Sequence, residues 1–103
     1  MPPSEINSDL LALRATIDDI DANIIGLLGQ RFEVTKKVGA IKAALNLTAL
    51  DAEREAAQRS RYAELAIQSG VNEPLIQEIF RILISRVVEN HQAQARKWNQ
   101  PSE

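Results

Sequence analysis

The stretch LLALRATIDDIDANIIGLLGQRFEVTKKVGAIKAAL, residues 10–45, decides the fold. It contains no proline, and its apolar residues recur at helical spacing, so it reads as one long helix. Ser8 or Asp9 offers a side-chain oxygen to cap its start. At ~1.5 Å per residue such a helix is ~54 Å long. A compact domain of about 100 residues has a radius of gyration of only ~13 Å. Two shorter helices downstream do not cover both ends of such a rod. A second copy of the chain, related by a two-fold axis, is therefore expected.

Beyond the connector NLTAL (46–50) the chain opens a new helix within TALDAEREAAQR, residues 48–59. Asp51 is placed to cap it, and Glu53 and Glu55 fall in its first turn, where carboxylates suit the helix dipole. This helix runs to about Gln68, and Ser69-Gly70 supplies a stop. Asn72 is placed to cap a third helix, with Pro74 tolerated in its first turn. That helix carries Leu75, Ile76, Ile79, Phe80, Leu83, Ile84, Val87 and Val88, followed by a polar tail from His91. No segment alternates with period two, so the expected class is all-α, with one long and two shorter helices per chain. The expected division is a flexible N-terminal lead at 1–9, a helical domain at 10–97 and a C-terminal tail at 98–103.

Composition removes several functions. There is no cysteine, which excludes disulfides and thiolate metal sites, and the single histidine, His91, cannot build a histidine-rich site from one chain. A net charge of −2 gives no reason to expect nucleic acid as a partner. No apolar run approaches the ~20 residues of a membrane span. The start MPPSEINSD lacks a basic region followed by an apolar block, so no signal peptide is read there and a cytoplasmic location is expected.

Stepping along the first helix by threes and fours gives Arg14, Ile17, Asp21, Ile24, Leu28, Arg31, Thr35, Val38 and Lys42. This spacing defines an inward stripe. Three cations share it with four apolar residues and a single carboxylate, whereas Lys36 and Lys37 fall off it and read as solvent-facing. A buried cation is costly unless an anion meets it. The plain reading is pairing with the protein's own carboxylates, or stems lying on the surface with the charge in water. The excess of cations over local carboxylates favours instead a small, multiply anionic ligand. Arg31 and Lys42 are 11 residues apart, or ~16 Å, within the joint reach of two long side chains. Arg14 lies 17 residues before Arg31, or ~25 Å away, so an antiparallel partner chain must bring it to the same site. Arg54 stands near a helix N-terminus, where a cation is unfavourable. Either it pairs with a neighbouring glutamate, or it turns toward the same anion, with Glu55 accepting from a ligand hydroxyl.

The ordered segments LRATIDDIDANIIGLLGQR (13–31), VGAIKAALN (38–46) and LDAERE (50–55) resemble the all-helical class of chorismate mutases, the type II superfamily that also contains isochorismate-pyruvate lyases. The resemblance covers roughly residues 10–92. It implies an intertwined homodimer, no cofactor and no metal, and the rearrangement of chorismate, a small dicarboxylate, to prephenate. It also implies that Arg14 crosses from the partner chain and binds a substrate carboxylate with Arg31. Lys42 then donates to the ether oxygen, Arg54 joins the cationic pocket, and Glu55 with Asp51 holds the ring hydroxyl. Where many members carry a small hydroxyl residue and then Gln or Glu, this chain has Val87 and His91. His91 still donates through a ring N–H, charged or neutral, although a one-residue shift would offer Gln92 instead. Isochorismate-pyruvate lyase, 4-amino-4-deoxychorismate mutase and a non-catalytic helical module of the aromatic pathway stay open as alternatives. An aromatic-pathway enzyme is a further candidate partner.

Overall fold

The computed structural model describes residues 3–100, with side chains described from residue 7 onward. Three helices follow one another: α1 (Pro3–Ala44), α2 (Ala52–Ser69) and α3 (Glu73–Trp98), and no strand occurs among the described residues. The chain is therefore all-α with one long and two shorter helices, as its periodicity predicts. None of these helices is long and apolar enough to cross a membrane.

Local chemistry sets most of the boundaries. Asp51 caps α2, its carboxylate accepting from the Arg54 amide at 3.0 Å, and Asn72 caps α3, accepting from the Leu75 amide at 3.0 Å. Gly70 takes the left-handed conformation, φ 66°, and lets Val71 donate to the Ala66 carbonyl. Asn46, φ 55°, ends α1 in the same way, with Leu47 donating to the Lys42 carbonyl. One boundary corrects the sequence reading. α1 begins at Pro3, so Ser8 and Asp9 lie inside the helix and do not cap it. Proline suits a first helical turn, because its missing N–H would have no helical partner there.

The chain divides into two units, Met1–Val34 and Thr35–Glu103. The first belongs to α1 and leaves its large apolar side chains in solvent: Ile17, Ile24 and Leu27 are 54%, 50% and 62% exposed. In the second, α2 and α3 pack through the Tyr62–Phe80 stack, ring centroids 4.1 Å apart, and Gln77 donates to the Arg59 carbonyl at 2.9 Å. Ala43, Tyr62 and Ala66 are the buried apolar residues among those described. Many isoleucines and leucines thus stay exposed beside this small core, and apolar surface of that kind marks interaction sites.

Within the second unit, α3 approaches the end of α1 at Gly39, which is buried. A Cβ built on Gly39 would overlap the Gln94 side-chain oxygen and stand 2.6 Å from the His91 ring. In an open helix, glycine to alanine stabilises by about 1 kcal/mol. Overpacking costs about 1–3 kcal/mol, and the ring has no flexible end to move aside. Gly39→Ala is therefore expected to lower the midpoint of thermal unfolding, measured by circular dichroism.

Candidate active site

Each unit carries part of the expected site. In the first, Arg14 is exposed and Arg31 is half-buried, one turn beyond the half-buried Leu28. In the second, Lys42 is half-buried in the last turn of α1, and its Nζ donates to the Ala49 carbonyl at 3.3 Å, closing the connector over the helix end. Lys36 and Lys37 are exposed, as their place off the stripe predicts.

Asp51 and Arg54 meet through the cap described above, and both side chains are exposed. The Asp51 carboxylate thus holds the helix end and keeps acceptor capacity for a ligand. Glu55 is half-buried and lines a groove of about 470 Å³ between α2 and α3, with Leu50, Arg59, Tyr62, Phe80 and Arg81 among its other walls. Lys42, Val87 and His91 do not line that groove. Val87 is half-buried on α3 and offers only packing.

His91 begins the polar end of α3 and is nevertheless buried there: α3 runs on to Trp98, and His91 is only 4% exposed. Its Nε2 lies 2.8 Å from the Thr35 carbonyl oxygen, a pure acceptor, so Nε2 carries the hydrogen and donates it. The neutral ring then has no second N–H. With Nε2–H given to Thr35, donation through Nδ1 is open to the charged ring. Nδ1 is buried and finds no hydrogen-bond partner among the described residues. Gln92, the alternative donor, is exposed.

Sequence reasoning missed Thr35 and Gln94, which hold the histidine's surroundings in place. The signal for Gln94 was its position one turn beyond His91, on the same helix face. No group of three or more His, Cys, Asp or Glu among the described residues is placed to hold a metal ion.

The class is an all-helical protein whose expected site residues are cations, a few carboxylates and one buried imidazole. The family model described as chorismate mutase type II matches residues 13–92. The chorismate mutase of Methanocaldococcus jannaschii is 36% identical over 75 residues, covering 73% of this chain and 76% of that protein. The T-protein of Enterobacter agglomerans is 34% identical over 74 residues, covering 72% of this chain and 20% of that protein. A bifunctional chorismate mutase/prephenate dehydratase of Buchnera aphidicola is 30% identical over 81 residues, covering 79% and 21%. The chain thus spans about a fifth of the length of the last two. It belongs to the chorismate mutase type II family.

Proposed function

We propose that two copies of the chain form an intertwined homodimer that rearranges chorismate to prephenate. One observation carries this reading: the ordered set Arg14, Arg31, Lys42, Asp51, Arg54 and Glu55 falls entirely within the matched residues 13–92. The exposed apolar side chains of α1 support the dimer, because a partner helix is what would cover them.

The reaction is an internal shift of electron pairs. The ether carbon–oxygen bond breaks while a carbon–carbon bond forms, and no atom is gained or lost. It needs no nucleophile, redox cofactor or metal. Negative charge builds on the ether oxygen as its bond breaks. Lys42 donates to that oxygen, and its half-buried position strengthens the interaction relative to water. Arg31 of one protomer and Arg14 of the other bind the two carboxylates, with Arg54 adding positive charge. Gripping both ends holds the folded conformer in which the reacting carbons are close. Glu55 and Asp51 accept from the ring hydroxyl. His91 adds a second donor at the ether oxygen when its ring is charged. Each of these contacts accelerates the step to the extent that it strengthens as charge develops. Homologous segments occur within a larger bifunctional protein, which supports an aromatic-pathway enzyme as a further partner.

The test is turnover by the isolated protein. Loss of chorismate absorbance is followed for the parent and Arg31→Ala, with isochorismate and 4-amino-4-deoxychorismate assayed in parallel. Chorismate turnover that falls by at least about 100-fold in Arg31→Ala is the expected result. Preference for isochorismate with pyruvate release would make the protein a lyase, and no turnover of any of the three would make it a binding module.

A further inference from the structure

His91 and Gln94 lie one turn apart on α3, so both face the same strip of α1. The His91 ring meets the Thr35 carbonyl at 2.8 Å, and the Gln94 amide donates to the Lys36 carbonyl at 3.0 Å. These carbonyls belong to consecutive residues within α1. A carbonyl oxygen has two lone pairs, so each can accept from α3 while serving its own helix. Both side chains rest against Gly39, where any Cβ would displace them. The result is a two-pronged bracket, with one donor from α3 on each of two neighbouring carbonyls and a glycine that lets the prongs close.

The bracket has a chemical consequence for the ring. A single hydrogen bond to Thr35 would leave the imidazole free to tilt about that bond. Gln94, anchored to the next carbonyl and close to the same glycine, stands where it would limit that tilt. The ring is held with Nε2–H committed to protein and Nδ1 buried without a partner among the described residues. A buried polar atom left unpaired is unfavourable in the folded protein, and a catalytic role is one physical reason to keep it so.

We propose that Gln94 is a positioning residue for His91: it clamps the ring so that Nδ1, and not Nε2, is the atom offered to the substrate. This rests on the reading of His91 as a donor at the ether oxygen. Gln94 itself touches no substrate and acts through the ring.

The chain has a single histidine, so imidazole nitrogen NMR reports His91 without assignment. In the parent, the neutral ring is expected as the Nε2–H tautomer. Gln94→Met keeps the length of the side chain and loses the donor, and Gln94→Leu serves if the methionine variant does not fold. The variant is expected to show a mixture of tautomers. Its kcat should fall by roughly 10-fold to 100-fold with little change in KM, because the substrate carboxylates are bound elsewhere. In a His91→Ala background the same substitution should have no further effect. An equal loss in both backgrounds, or an unaltered spectrum with unaltered kcat, would overturn the proposal. The underlying reading fails separately: His91→Ala should lose activity and His91→Gln should keep much of it. Parent-like turnover in His91→Ala would remove His91 from the site and Gln94's role with it. An impaired His91→Ala beside an inert Gln94 variant would sink the positioning role alone.

Discussion

Lys42→Ala is expected to lower kcat on chorismate by ~10²–10³-fold, the loss seen when one preorganised donor to a developing oxyanion is removed. In energy this is about 3–4 kcal/mol of transition-state stabilisation. The size follows from where the ammonium sits. It is half-buried at the end of α1, beside the connector to α2. The ammonium donates to the Ala49 carbonyl at 3.3 Å, a long bond to a neutral acceptor. That bond orients the ammonium without consuming it, since Nζ carries three donors. Losing it costs stability on the scale of one ordinary hydrogen bond, about 1 kcal/mol. The catalytic and structural effects therefore differ in size and can be separated. Steady-state kinetics should show the large fall in kcat, while circular dichroism should show a folded protein with a modestly lower unfolding midpoint. Lys42→Arg, which keeps the charge but moves it, should retain part of the rate. A folded Lys42→Ala variant with kcat within about threefold of the parent would remove Lys42 from the chemistry.

How far the sequence could be read depended on whether the deciding interaction was local. Asp51, Asn72 and Gly70 announced their roles because a cap or a stop is settled by residues within one turn. The start of α1 was placed too late because Ser8 and Asp9 are good caps in isolation. A helix already begun at Pro3 carries both inside at about half a kcal/mol each. His91 was beyond local reasoning altogether. The carbonyl its ring meets and the glycine it packs against are Thr35 and Gly39, more than fifty residues earlier in the chain. The spacing of the cations was legible for the opposite reason. A lysine or arginine on an apolar stripe is costly wherever the helix is placed, so its purpose can be asked before any tertiary contact is known.

Two inactive chains are expected to make an active enzyme. If Arg14 completes the site of the partner protomer, then Arg14→Ala and Arg31→Ala each abolish both sites of their own homodimers. Mixing the two, by co-expression or by refolding together, produces heterodimers. In each of these, one site lacks both arginines and the other has an intact Arg31 from one chain and an intact Arg14 from the other. Random pairing makes about half the dimers mixed, so about a quarter of all sites are restored and turnover should return to about that fraction of the parent. The geometry behind this is the ~25 Å between Arg14 and Arg31 along one helix, too far for two side chains of the same chain to grip one small molecule. Exposure is in keeping with it, since Arg14 sits in solvent among exposed isoleucines and leucines that a partner helix would cover. The measurement separates three arrangements. Recovery to about a quarter requires sharing across a dimer. No recovery in a mixture that sedimentation shows to be dimeric would mean both arginines serve from one chain, or that one serves neither site. Sedimentation of the parent as a monomer with full activity would remove the dimer itself, and with it the reason for apolar residues along the whole length of α1.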